Sequence, residues 1–123
     1  MDSFHFGQEH GRKIQAYESA GATVVGLLRT TPASVVTIYL DPGGIVGMHP
    51  AAADQLFLVV AGGGWATAGG EERELAPGTA VLWRREEVHE TRAAAEGLTA
   101  VVVEGAGLVE ALVPKVRGEA GEK

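Results

Sequence analysis

Four histidines are the chain's main candidates for chemistry: His5, His10, His49 and His89. An imidazole with an ordinary pKa near 6.5 can be a neutral base, a proton donor or a metal ligand. A lone His in a half-buried strand is more often a hydrogen-bonded structural residue, so the setting decides. His49 and His89 each follow a turn-rich segment that joins two expected strands, and such loop ends are where a barrel keeps its functional groups. The sequence has no Cys, which removes a disulfide framework, a thiolate zinc site and a cysteine nucleophile. The only serines are Ser3, Ser19 and Ser34, none in a Gly-x-Ser-x-Gly elbow, which speaks against a Ser-His-Asp hydrolase. Glu71-Glu72 and Glu86-Glu87 are neighbours in sequence. Neighbours on a strand face opposite ways, so neither makes a glycosidase pair by itself. Gly62-Gly63-Gly64 is followed by no Lys-Ser/Thr, so a tight hairpin is expected there rather than a phosphate loop.

The elements that must position these residues read as strands. Short apolar runs alternate with Gly, Pro and Asp turns in the cadence of an all-β sandwich or barrel. Expected strands are Lys13–Tyr17, Thr23–Leu28, Val35–Leu40, Gln55–Val60, Gly64–Ala68, Ala80–Trp83, Glu90–Arg92 and Leu98–Glu104. Val, Ile, Thr and aromatic residues are dense in several of them. Asp41-Pro42-Gly43-Gly44 reads as a turn, and Pro77-Gly78 opens a strand. Near the end, Leu108, Leu112 and Val116 form a helical stripe that Pro114 interrupts. The expectation there is a short helix or an irregular arm over residues 105–123 with a polar tail from Arg117. With 123 residues, the chain has room for a single domain spanning 1–123.

Residues 43–93 resemble the two sequence motifs of the cupin family. In the first motif Gly43, His49 and Gly62 fall in register, while Ala51 stands for the second His and Gln55 for the Glu. In the second, Gly78 and His89 are in register, while Arg84, Glu86 and Ala93 replace the Pro, Gly and Asn. The resemblance implies an all-β jelly-roll barrel with a ligand or metal pocket inside. Metal-binding cupins usually hold a divalent ion with three His and one Glu. Position by position, only His49 and His89 remain as strong ligands, with the weaker Gln55 carbonyl as a possible third. The resemblance therefore implies either no cofactor or a weakly bound zinc, iron, manganese or nickel ion. Without a carboxylate the ion's charge would stay uncompensated, and burying net charge is costly. Gln55 is alternatively expected to hydrogen bond to one imidazole and fix its tautomer.

Strand alternation places Gln55, Phe57 and Val59 on one face, expected to meet the lumen with His49, and Leu56, Leu58 and Val60 on the other. Asp54 is expected to point away from that lumen. Trp65, Trp83 and Tyr39 are candidate walls, although each taken singly fits plain core. Glu86, Glu87 and Glu90 are expected to form a solvated acidic loop beside His89. The apolar outer face, and a Phe4-His5-Phe6 segment suited to an edge strand, point to a homodimer. A net charge of −6 argues against nucleic acid and anionic membranes. With no signal peptide or spanning stretch visible, a cytoplasmic location is the default expectation. The preferred reading is a small-molecule-binding barrel with an eroded metal site. The alternatives are a metal-dependent oxygenase or isomerase using His49, Gln55 and His89, a metal-free isomerase using a His as base, and a barrel kept only for oligomerisation.

Overall fold

A computed structural model describes residues 1–29 and 33–112. Its strands are β1 (Arg12–Lys13), β2 (Ala20–Arg29), β3 (Ala33–Pro50), β4 (Gln55–Ala68), β5 (Glu71–Leu75), β6 (Ala80–Trp83) and β7 (Val88–Gly105), followed by a short helix α1 (Leu108–Ala111). All seven join one antiparallel sheet in the order β1-β2-β3-β7-β4-β5, with β6 also paired to β4.

The central strand β7 explains how this sheet curls into a barrel. Its second limb, Leu98-Thr99-Ala100-Val101-Val102-Val103-Glu104, is rich in β-branched residues that suit a pleated, buried surface. There the even positions Leu98, Ala100 and Val102 are buried, whereas on the first limb the odd positions His89, Thr91 and Ala93 are. The change of parity needs an irregularity, and the pairing of β7 with β4 shifts register between Gly62 and Gly64. At Gly64 a Cβ would collide with the Arg92 carbonyl oxygen, so only glycine lets β4 and β7 approach this closely. The Gly62-Gly63-Gly64 run is therefore an irregularity inside β4 and not a hairpin. The Asp41-Pro42-Gly43-Gly44 turn is likewise absorbed into β3, where the pairing with β7 shifts register between Leu40 and Ile45.

The core comprises Leu40, Val46, Phe57, Val59, Leu75, Trp83, Leu98 and Val102 together with small residues such as Ala22, Ala51, Ala66 and Ala100. Two further local expectations change. The strand expected over Lys13–Tyr17 is only Arg12–Lys13, and Ala16–Glu18 forms a 3-10 turn. Phe4-His5-Phe6 forms no strand, with Phe4 and Phe6 exposed. Of the C-terminal stripe, α1 and Leu112 are described, while Val116, Pro114 and the polar tail lie outside the described residues. No helix among the described residues is long and apolar enough to cross a membrane.

Candidate functional site

His49 on β3 and His89 on β7 are cross-strand partners, so the sheet itself sets the two imidazoles together. Their ring centroids lie 4.4 Å apart at an interplanar angle of 54°. Trp83 stacks on His89 at 4.0 Å and Tyr17 on His49 at 4.5 Å, giving a column of four rings. Phe57 meets the edge of Trp83 at 5.5 Å. Each imidazole is fixed by the backbone two residues before it. His49 Nδ1 lies 2.7 Å from the Gly47 carbonyl oxygen and His89 Nδ1 lies 3.0 Å from that of Glu87. A carbonyl oxygen only accepts, so in each neutral ring Nδ1 carries the proton and Nε2 keeps its lone pair. Burial of His89 holds its pKa below the ordinary value, reinforced by His49 and partly offset by the Glu87 backbone hydrogen bond and carboxylate.

The column borders a cavity of about 180 Å³. Apolar side chains including Val36, Ile38, Val46 and Val102 wall it, and Ser34, Gln55, Thr91 and Glu104 contribute its other polar groups. Gln55 Nε2 donates to Glu104 Oε2 at 2.8 Å, not to an imidazole, so the expected role of Gln55 in fixing a His tautomer is replaced by backbone carbonyls.

His49, Gln55, Phe57, Trp83 and His89 all line this cavity. Tyr39 and Trp65 do not, and alternation explains both. On β3 the even positions Ser34, Val36 and Ile38 face the cavity. Tyr39 therefore points away, and its hydroxyl donates to the Phe6 carbonyl at 2.9 Å. On β4 the register shifts between Val59 and Ala61, which turns Ala66 inward and leaves Trp65 on the outer face, 39% exposed. Asp54 also points away, accepting from the Arg85 amide at 3.0 Å. Glu86, Glu87 and Glu90 lie outside the cavity; Glu87 accepts from the Arg84 amide at 3.0 Å and Glu90 from Arg92 at 3.1 Å.

Several cavity residues escaped the sequence reading, among them Glu104 and Tyr17. Glu104 is an acid at the end of a Val run, and the alternation of Ala100, Val102 and Glu104 was the signal for it. Tyr17 carried no usable signal, because its left-handed backbone (φ 59°) breaks any strand pattern.

For a divalent metal, the strong ligands that line the cavity are the imidazoles of His49 and His89. Ala51, in the position of the family's second His, is 1% exposed and gives the core a methyl group. The Gln55 amide and Glu104 carboxylate engage one another. Among the described residues, no group of three His, Cys, Asp or Glu side chains is arranged to hold an ion.

No protein-family model matches the sequence, and no curated protein is significantly similar to it. Solved structures do match. An RmlC-like cupin from Shewanella frigidimarina superposes with a TM-score of 0.71 at 18% identity, over 91% of this chain and 97% of that one. The barrel is a cupin fold. KdgF from a Halomonas species matches this cupin barrel with a TM-score of 0.68 at 23% identity, over 85% of this chain and 94% of that one. The polyketide cyclase RemF from Streptomyces resistomycificus matches it with a TM-score of 0.75 at 17% identity, over 85% and 79% of the two chains. At these identities the likeness concerns the path of the cupin chain and not its chemistry.

Proposed function

We propose that this cupin barrel binds a small molecule in its lumen, as a homodimer and without a stoichiometric resident metal. The observation that carries the reading is the cavity itself: about 180 Å³, walled by apolar side chains and carrying a few convergent polar groups. An apolar cavity of about 150 Å³ accommodates benzene, so the guest is a compact molecule of about six to ten non-hydrogen atoms. That a protein of this fold is a polyketide cyclase agrees with a lumen used for small organic molecules. For the dimer, the support is a groove whose described lining residues are apolar, among them Leu56, Leu58, Leu82 and Leu112, on the side of β4 opposite the cavity. A second copy of the chain is the proposed occupant. A divalent ion, if offered, would meet two imidazole nitrogens and bind weakly.

The lumen reading is tested by filling the lumen. Compact aromatic fragments titrated into the wild type should shift the Trp83 indole and His89 ring resonances. Val36→Phe should abolish those shifts while leaving the far-ultraviolet circular dichroism unchanged. Fragments that leave both reporters unmoved, or that bind equally well to Val36→Phe, would sink the reading. A second reading, proton transfer by a neutral imidazole, is favoured by the two Nε2 lone pairs and the lowered pKa of His89. It requires the same cavity and adds turnover to binding.

A further inference from the structure

We propose that the lumen selects small organic cations: a protonated amine or amidine carried on an apolar body. The inference rests on the lumen-binding reading above and follows from counting which hydrogen-bonding capacity remains for a guest.

Three donors near the cavity are spent on the protein. Both imidazole Nδ1–H groups are used by the Gly47 and Glu87 carbonyls. The Gln55 amide directs a hydrogen at Glu104. What remains for a guest is two imidazole Nε2 lone pairs, the Gln55 carbonyl oxygen and the second carboxylate oxygen of Glu104 as acceptors, against the second Gln55 N–H and the Trp83 indole N–H as donors. The hydroxyls of Tyr17, Ser34 and Thr91 can turn either way. Among the described residues, no Lys or Arg lines the cavity. Gln55 is, among the described residues, the hydrogen-bond partner of the Glu104 side chain, and it is a neutral one.

Charge points the same way. Among the described residues, Glu104 is the only Asp, Glu, Lys or Arg on the cavity wall. The rings of Tyr17, Phe57 and Trp83 border the same space, and aromatic faces attract cations. A cation entering the lumen loses hydration, which must be returned by good hydrogen bonds and an opposite charge. Glu104 and the two Nε2 atoms supply both. An anion of the same shape would lose its hydration and gain a like charge as neighbour, so the lumen discriminates by repulsion as well as by attraction.

Three probes of nearly one shape separate these effects: benzylammonium, benzyl alcohol and benzoate. They are titrated at neutral pH, with the Trp83 and His89 resonances as reporters. The wild type should bind benzylammonium at least tenfold more tightly than benzyl alcohol and benzoate most weakly. Glu104→Gln preserves shape and can still accept from Gln55, and it should bring benzylammonium and benzyl alcohol to similar affinity. Glu72→Gln, an acid on the outer face beside Trp65, should leave the order unchanged. Benzoate binding as tightly as benzylammonium, or a cation preference that survives Glu104→Gln, would overturn the proposal. The wild-type order alone decides the matter if the variant fails to fold. Alcohol binding without cation preference defeats only this proposal, whereas silence from all three probes defeats the lumen-binding reading with it.

Discussion

His49 and His89 are alike in their hydrogen bonds and unlike in their surroundings. His49 is half-buried under Tyr17, while His89 is 3% exposed and pressed against Trp83. The depressed pKa of His89 ties it to stability. The unfolded chain takes up this proton near pH 6.5, and the folded chain only at lower pH. Its contribution is therefore complete above pH 6.5 and is lost as pH falls toward the folded value. His89→Phe keeps a ring against Trp83 and removes the titration. Urea midpoints should show the wild type losing more stability than the variant between about pH 8 and about pH 5; parallel losses would refute the assignment. The histidine pair was legible in the sequence because the family spacing preserves it at Gly43, His49 and His89. Glu104 was not, since it reaches Gln55 from 49 positions away and only the pairing of β4 with β7 brings them together.

At the level of elements, the turn over Ala16–Glu18 closes the cavity because β3 makes room for it. A Cβ at Gly47 would collide with the Tyr17 carbonyl oxygen, and the Gly47 amide donates to Ser19 Oγ at 3.2 Å. Tyr17 and Glu18 both hold left-handed backbone, at φ 59° and 56°. Such strain costs of the order of 1–3 kcal/mol per residue and persists only where surrounding contacts hold it. Gly47→Ala should push this turn outward, reduce stability by about 1–3 kcal/mol and remove the ring-current effect of Tyr17 on the His49 resonances. An unmoved His49 signal would show that Gly47 is not the seat of the turn. The strands themselves were readable wherever alternation was unbroken, as over Gln55–Val59. The walls assigned to Tyr39 and Trp65 failed for different reasons. The position of Tyr39 depends on which face of β3 meets the lumen, and composition does not report that. Trp65 follows a register shift in β4 that pattern counting passes over.

For the whole molecule, the outer apolar groove of about 670 Å³ bears on assembly. Val60, farther along β4, is 54% exposed. Light scattering should give twice the 12.7 kDa chain mass, and Leu58→Glu should return a monomer with an unchanged circular-dichroism spectrum. A wild-type monomer at micromolar concentration would remove the dimer. The division of β7 into two limbs has a different consequence, for the order of events during folding. One limb carries His89 and the other Glu104, and each acquires its place only through pairing with β3 and β4, both distant in sequence. Contacts of that kind close long loops before any gain is returned, and such chains fold slowly, commonly in milliseconds to seconds. No half of the hairpin-like strand can hold the guest alone. Binding competence should therefore arrive in a single late kinetic phase together with the barrel, never in advance of it, and a guest added during refolding should speed nothing but only trap what has already closed.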